Sequence, residues 1–484
     1  MSLYTAVVRE NRLDNIGRIA IICDKEKITY EELYSRVDRL ANELVKCGVK
    51  KNSKVLLVND SPIFFTVSLL ALLSVNAIPI PLYASMGYEK VKDLINKYEI
   101  NFVLRLVNSK QSWIKSDKDY TIKSMESVLC SFSDYIDPEL DDVELIMFTS
   151  GTTSIPKAIM LTQKNIQSNI MAISHYLKLV CDDKILHVKD LSHSSSVIGE
   201  LLVGLYNGCT IVFTTQLLLT HNIVNLIANE GITIFFAVPT LLNNIMNYKK
   251  LNIELLDKVR IVNFYGAPMH EENIAGLCSV FRNANIIYSY GQTEASPRVT
   301  YIEKDYLRLK RKSSGKPILG VKVYIMDEFG NRKLPNEKGE IVVEGPNVMK
   351  GYYKDLNRTN KTIINGKLHT NDVGYLDEDG YLYVTGRKDN MLITAGKNVY
   401  PEEIEGVLTS YKDVVDALVV GNNRKDGTVI LSAYITVSGE IDKNSLFRFC
   451  REYLESYKIP DEIEIVSELE KTPSGKIIRK VPQS

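Results

Sequence analysis

Between Thr29 and Tyr290, short β-rich runs alternate with stretches of helical period, and this alternation is what most constrains the fold. Val55–Val58, Leu145–Thr149, Thr233–Val238, Arg260–Phe264 and Ile286–Tyr290 read as strands. Leu33, Val37, Leu40 and Leu44 recur at helical spacing after Thr29, and Ile166, Ile170, Ile173 and Leu177 do so after Thr162; each threonine is placed to cap its helix. Strand, turn and helix in repetition call for an α/β protein with largely parallel sheets. From about Lys322 the pattern turns to hairpin-like strands around Asp327-Glu328-Phe329-Gly330 and Asp377-Glu378-Asp379-Gly380. Val414 to Glu464 then mixes strands with a helix after Asp442. A chain of 484 residues exceeds one compact core, so two or more domains are expected.

Charge excludes several classes of function. Lys plus Arg equals Asp plus Glu at 59 each, which favours neither nucleic acid nor an anionic membrane as a partner. The seven cysteines are scattered, odd in number and never spaced C-x-x-C, which suits a reducing cytoplasm and argues against a disulfide framework or zinc site. Met1 to Asn15 lacks the apolar core of a signal peptide. Phe64 to Leu82 is the most apolar stretch, but Ser68, Ser74, Asn76, Pro79 and Pro81 suit a buried helix and short strand rather than a membrane span.

Thr149-Ser150-Gly151-Thr152-Thr153-Ser154-Ile155-Pro156-Lys157 is expected to follow a strand and precede a helix. Small hydroxyl residues and Gly let backbone N–H groups approach phosphate oxygens, and Lys157 adds a positive charge. Composition alone also allows a polar surface loop. The segment is not a Walker loop, because Pro156 takes the second Gly position and Ala158 replaces Ser or Thr. A kinase or simple ATPase therefore loses its main support.

The loop resembles the T-S-G-T-T-G-x-P-K-G segment of the adenylate-forming superfamily, which includes acyl- and aryl-CoA synthetases, adenylation domains of non-ribosomal peptide synthesis, and luciferases. The resemblance extends through Ile28-Thr29-Tyr30-Glu31-Glu32-Leu33, Leu72 to Pro81, Tyr265-Gly266-Ala267-Pro268, Tyr290-Gly291-Gln292-Thr293-Glu294, Thr370-Asn371-Asp372-Val373-Gly374 with Gly386-Arg387, the run from Gly396 to Glu405, and Pro473-Ser474-Gly475-Lys476. Each is weak alone; the ordered set is specific. It implies a large N-terminal domain of stacked, mostly parallel sheets with helices and a small β-subdomain, residues 1–388, and a small mobile α+β C-terminal domain, residues 389–484.

The resemblance also implies the chemistry. An acid is activated by ATP as acyl-AMP with release of pyrophosphate, then transferred to the thiol of CoA or a carrier-protein phosphopantetheine. ATP would be held by Thr149, Ser150, Gly151, Thr152, Thr153 and Lys157 at the phosphates, Gly266, Ala267, Tyr290 and Gly291 at adenine, Asp372 at ribose, and Arg387 at ribose or phosphate. Glu294 would bind Mg²⁺, with Thr293 beside it in the catalytic group. Lys476 would reach the acid and the α-phosphate in the first half-reaction. Asp389 would be the hinge, and Gly396 would let the thiol arm pass. Read alone, Glu294 is a turn residue, Asp372 a strand-end acid, Arg387 a surface ion pair, Tyr290 a core tyrosine and Lys476 a tail lysine. Ser154 and Ala158 stand where the family usually has Gly, and Gln163 where His is common.

Members that activate α-amino acids usually hold the ammonium with an Asp. Aligning Gly199 to Gly208 puts Ser195 there, and a neutral Ser cannot pair a buried ammonium. A lipophilic or aromatic acid without an α-amino group is therefore favoured. His193 matches a pocket-lining His of acyl- and aryl-CoA synthetases, with a structural histidine as the alternative; Val238, Pro239 and Thr240 would complete the pocket. The competing readings are a stand-alone amino-acid-activating enzyme loading an acyl or peptidyl carrier protein, and a non-catalytic nucleotide sensor. No nucleic acid and no membrane span are expected.

Overall fold

The computed structural model describes residues 3–5, 7, 16–149, 156–266, 269, 271–394, 397–423, 429–471 and 477–482. Contacts divide the chain into two units: Met1–Val323 with Val343–Leu368, and Tyr324–Val342 with His369–Ser484.

The first unit is built on two sheets of α/β type. One has nine strands in the order Lys316–Pro317, Thr300–Glu303, Asn285–Tyr290, Ile261–Tyr265, Ile234–Ala237, Lys184–Leu186, Thr210–Phe213, Ile19–Cys23 and Glu26–Thr29. The six strands from Asn285–Tyr290 to Ile19–Cys23 pair in parallel; the outer ones are antiparallel. The other sheet has five strands, ordered Ile78–Leu82, Lys54–Val58, Phe102–Leu106, Ser127–Ser131 and Lys118–Ile122, the first three parallel.

The expected caps are present. Thr29 closes a reciprocal capping box with Glu32 at the head of helix Tyr30–Lys46, and Thr162 does the same with Asn165 ahead of helix Gln163–Leu177. The apolar run from Phe64 is a core helix, Pro62–Ser74, buried without a break from Phe64 to Leu73. The strand after it, Ile78–Leu82, carries Pro79 and Pro81 and lies at the edge of its sheet, where a missing N–H donor is tolerated. Among the described residues, no helix is long and apolar enough to cross a membrane.

One local expectation is corrected. The Thr149–Lys157 loop does not lead from a strand into a helix. Val143–Phe148 pairs antiparallel with Ala158–Thr162, so the loop joins two strands of a hairpin, and helix Gln163–Leu177 begins only after the second strand. The reason lies in the run Ala158-Ile159-Met160-Leu161, buried throughout and too apolar for an exposed first helical turn. Ala158 puts its methyl into the core there.

In the second unit, Lys367–Leu376 and Leu382–Arg387 form an antiparallel hairpin, with Tyr375 and Tyr383 stacked at 4.7 Å. The turn Asp377–Gly380 closes it, Asp377 accepting from the amides of Asp379 and Tyr381. Further along, Val414–Asn423, Val429–Val437 and Glu462–Ile465 make a sheet covered by helices Pro401–Ser410 and Lys443–Tyr453, an α+β arrangement around Ile404, Leu408, Val419, Leu431 and Leu446. Arg479 ties the tail to it through paired bonds of 2.8 Å to both Glu405 oxygens.

Candidate active site

In open parallel sheets ligands bind beyond the carboxyl ends of the strands, where loops and helix N-termini present backbone groups. The predicted site residues of the first unit collect there. Lys184–Leu186 leads to His193 and Ser195. Ile234–Ala237 leads to Val238 and Pro239, the N-cap and first residue of helix Pro239–Met246. Ile261–Tyr265 leads to Gly266, and Asn285–Tyr290 leads to Gly291, Thr293 and Glu294. Residues scattered along the sequence thus meet at one edge of one sheet.

The turn after Tyr290 is the most constrained part. A Cβ on Gly291 would stand 1.9 Å from the Pro297 carbonyl oxygen, so only glycine lets these two backbones close on each other. The side-chain amide of Asn169 donates to the carbonyls of Ala295 and Arg298 and accepts from the Arg298 N–H; Asn347 donates to the same two carbonyls. Both asparagines are buried. Their clamp fixes the short 3₁₀ turn Thr293–Ala295. Thr293 Oγ1 lies 3.0 Å from Ser194 Oγ, and Tyr352 donates its hydroxyl to Glu294 Oε1 at 2.9 Å. Burial, then the Glu294 charge, pushes the Tyr352 phenol well up, so it stays a donor.

The hairpin loop approaches the same tyrosine. Thr149 N–H donates to the Lys157 carbonyl at 3.2 Å, closing the loop's neck, and Lys157 Nζ lies 5.5 Å from the Tyr352 ring centroid. Lys157, Tyr352 and Glu294 therefore form a connected row. Ser150, Gly151, Thr152 and Thr153 lie outside the described residues, as do Ala267, Gly396 and Lys476.

Glu294 contributes one carboxylate, and no group of three or more metal-binding side chains occurs among the described residues. That donor set suits Mg²⁺, which takes one or two carboxylates and fills its remaining positions with water and substrate phosphate oxygens. It does not suit a structural zinc or calcium site.

On the acid side, Tyr83 Oη lies 2.8 Å from His193 Nε2, its ring edge-on to the imidazole at 5.2 Å. Burial lifts the Tyr83 pKa to about 12. Ser195 hydrogen-bonds the Tyr265 phenol, whose pKa is raised mainly by burial and then by the Glu200 carboxylate. Gly266 takes φ +94° with nothing within 4 Å of an added Cβ, so a left-handed backbone rather than crowding calls for glycine there. Tyr290 is half-buried at its strand end.

In the second unit Asp372 and Arg387 face each other in register across the hairpin, Arg387 Nε 3.3 Å from Asp372 Oδ1. Asp389 is an exposed residue in the 3₁₀ turn Lys388–Asn390.

Comparison with known proteins settles the class. A sequence model of the AMP-binding enzyme family matches residues 9–353, and one of the AMP-binding enzyme C-terminal domain matches residues 403–476. The chain belongs to the AMP-binding enzyme family. It is an AMP-forming acid–thiol ligase. It is 30% identical over 476 residues to a 2-succinylbenzoate–CoA ligase of Bacillus cereus strain ZK / E33L, covering 96% of this chain and 94% of that one. The o-succinylbenzoate CoA synthetase MenE of Bacillus subtilis, solved with ATP and magnesium ion, superposes with a TM-score of 0.85 at 25% identity over 98% of each chain. ATP-bound MatB from Rhodopseudomonas palustris shares the fold, with a TM-score of 0.85 at 24% identity over 99% of this chain and 97% of that one.

Sequence reading missed several residues of this site. Asn169, Asn347 and Tyr352 act on the Glu294 turn from distant helix, loop and strand positions, and Tyr83 meets His193 across 110 positions. Nothing local in the sequence marks them. Arg298, four residues past Glu294, carried a visible signal: a lone arginine between Pro297 and Val299 ahead of a strand.

Proposed function

We propose that this enzyme activates a lipophilic or aromatic carboxylic acid without an α-ammonium group, and that CoA is its thiol acceptor. The observation that carries this is the convergence of Glu294, Thr293, Gly266, Gly291, His193 and Ser195 at the carboxyl ends of adjoining parallel strands. The named relatives, as CoA ligases, support the acceptor. A neutral Ser195, where members that activate α-amino acids usually carry an Asp, supports the substrate class.

Joining a carboxylate to the α-phosphate of ATP brings two anions together, so the site must offset charge and hold attacker and leaving group in line. Lys157 and the hydroxyls of Thr149, Ser150, Thr152 and Thr153, with the Gly151 backbone, would receive the phosphates. Gly266, Ala267, Tyr290 and Gly291 would form the adenine slot. Asp372 accepts but cannot donate, which suits two ribose hydroxyls, with Arg387 adding a fixed cation. Glu294 would hold Mg²⁺, which when bound spreads the negative charge of the phosphate oxygens. Lys476 would steer the acid toward the α-phosphate.

Two half-reactions share one site. In this reading residues 389–484 move as a domain after residues 1–388, turning at Asp389, so that Lys476 serves adenylation and the Gly396 backbone serves the thiol arm. A cytoplasmic location fits the free thiols. The test is acid-dependent ATP–pyrophosphate exchange over a broad acid panel, followed by thioester formation with CoA or a carrier protein. Exchange strongest with a standard amino acid, or thioester formed only on a carrier protein, overturns this reading.

A further inference from the structure

Pro156, Lys157 and Ala158 offer three successive backbone carbonyls, and each is held from a different part of the chain. The Tyr98 hydroxyl donates to the Pro156 carbonyl at 2.7 Å, the Thr149 N–H to that of Lys157 at 3.2 Å, and the Tyr353 N–H to that of Ala158 at 2.8 Å. Two of these donors are backbone amides. Tyr98 acts through its side chain, so its bond can be removed without rerouting the backbone. Its ring is buried, on the residue that caps the C-terminus of helix Tyr88–Lys97. Burial lifts its pKa to about 12, so the hydroxyl keeps its proton and stays a donor.

The ring is itself held in place. Tyr98 stacks on Tyr353 with centroids 5.9 Å apart and leans on Phe148 at 5.7 Å, the last residue of the strand that enters the loop. Tyr353 accepts from the fully buried Lys54 at 3.1 Å and donates to Asp137 at 2.9 Å. The next residue after Tyr98, Glu99, pairs with Lys354 at 2.7 Å. The hydroxyl is therefore a fixed point to which the loop is tied. Proline sets φ at Pro156 and the Tyr98 bond sets the carbonyl that follows, so the peptide plane entering Lys157 is constrained from both sides. From there the Lys157 ammonium reaches the Tyr352 ring, 5.5 Å from its centroid, and Tyr352 donates to Glu294. A lysine ammonium rides on a long flexible stem, and a backbone already aimed lowers the ordering cost of binding.

We propose that Tyr98 is a positioning residue for ATP: its hydroxyl fixes the Pro156 carbonyl and thereby the direction in which Lys157 meets the phosphates. This inference rests on the reading of Lys157 as a phosphate ligand and concerns what aims that ligand.

The experiment is pyrophosphate exchange by the full chain, with an acid that wild type activates, varying ATP and acid in turn. Tyr98→Phe keeps the stacked ring and removes only the hydroxyl. It should raise the KM for ATP about three- to tenfold, what one neutral hydrogen bond amounts to, while the KM for the acid stays unchanged. Lys157→Ala should raise the KM for ATP further, and adding Tyr98→Phe to it should change nothing more, because Tyr98 acts through Lys157. Tyr353→Phe is the control. It removes a hydroxyl of the same stack that meets Lys54 and Asp137 rather than the loop, so its KM for ATP should match wild type. An unchanged KM for ATP in Tyr98→Phe, a parallel rise for the acid, an equal rise in Tyr353→Phe, or full additivity with Lys157→Ala overturns the proposal. An unchanged KM for ATP in Lys157→Ala fails the phosphate reading itself. If Tyr353→Phe does not fold, the comparison with Lys157→Ala decides.

Discussion

The two places proposed to offer carboxylates to ATP, the Glu294 turn and the Asp372 hairpin, are built by opposite means. The Glu294 turn is fixed by neutral groups: a glycine that no other residue can replace and two buried asparagine amides closing on the same pair of carbonyls. The Asp372 hairpin is fixed by charge. Glu340 accepts from Lys388 at 2.8 Å, from the Asn371 N–H at 3.2 Å and lies 3.0 Å from His369 Nδ1, while Asp372 faces Arg387 across the strands. Neutral buried clamps hold geometry regardless of salt and pH, whereas charged pairs near solvent are weakened by both. The first arrangement suits a turn that must not move, and the second a hairpin placed next to the hinge proposed at Asp389.

The sharpest way to break this contrast is at two glycines. Gly291→Ala drives a methyl into the Pro297 backbone with no flexible group to yield. A loss of more than about 4 kcal/mol, enough to remove folded protein, is expected. Gly266→Ala meets no atom within 4 Å and has only its left-handed backbone to strain, at about 1–2 kcal/mol. Thermal melts of both variants check this; equal destabilisation would mean that the close approach at Gly291 is not what holds the turn.

The asparagine clamp comes next. Each of the Ala295 and Arg298 carbonyls accepts from both amides, so Asn169→Ala leaves them served by Asn347 and should cost about 1–3 kcal/mol, chiefly through the Arg298 N–H left without its acceptor. Removing both amides leaves two buried carbonyls short of donors, so the double variant should lose more than the sum of the singles. Strict additivity in denaturant unfolding would show that the two side chains are not one device.

Much of this was legible beforehand, and the rest was not, for a physical reason. Strand runs and helix caps are local: Thr29 and Thr162 declare their capping boxes within four residues, and the motif series places Gly266, Gly291 and Glu294 at strand ends. The clamps are not local. Asn169 sits on a helix and reaches 126 and 129 positions ahead, and only the folded sheet reveals why. The course of the chain after the Thr149–Lys157 loop is not legible in the sequence, because Ala158-Ile159-Met160-Leu161 is a short apolar run. Such a run serves equally as a strand or as the buried start of a helix until its pairing partner is known. The roles assigned to Ser150, Gly151, Thr152, Thr153, Ala267, Gly396 and Lys476 rest on sequence resemblance.

Acid should separate the two regions. Burial would raise the Glu340 pKa, but hydrogen bonds from Lys388 and His369 outweigh it and hold the carboxyl below its ordinary value of 4.5. A group whose pKa is lowered on folding stabilises the fold fully above its unfolded pKa, and that stability is lost as pH falls through the folded one. Melts between pH 7 and pH 3 should therefore show the second unit weakening as Glu340 protonates, and Glu340→Gln should flatten that fall. Hydrogen exchange at the Glu294 turn should follow it only after the second unit has loosened. Exchange that begins at the Glu294 turn would reverse the assignment of charge to one region and neutral clamps to the other.

The smallest stability effect belongs to the residue with the largest share of solvent. Arg387 is 47% exposed, and its pair with Asp372 spans 3.3 Å on a strand surface. Exposed pairs of this kind contribute under about 1 kcal/mol, so Arg387→Ala should leave the melting temperature nearly unchanged. Asp372 is far less exposed, at 13%, and its backbone amide is held by the Thr370 hydroxyl, so its position survives the loss of its partner. If Arg387 serves nucleotide rather than fold, the same variant should raise the KM for ATP in pyrophosphate exchange about tenfold or more, the loss of one charge-assisted contact. High salt should shrink the wild-type advantage, because the cation is screened where it meets water. A large drop in melting temperature with an unchanged KM would make the pair a structural brace and remove Arg387 from the nucleotide site; the hairpin would then owe its charges to stability alone, and the contrast with the Glu294 turn would be one of solvent exposure rather than of function.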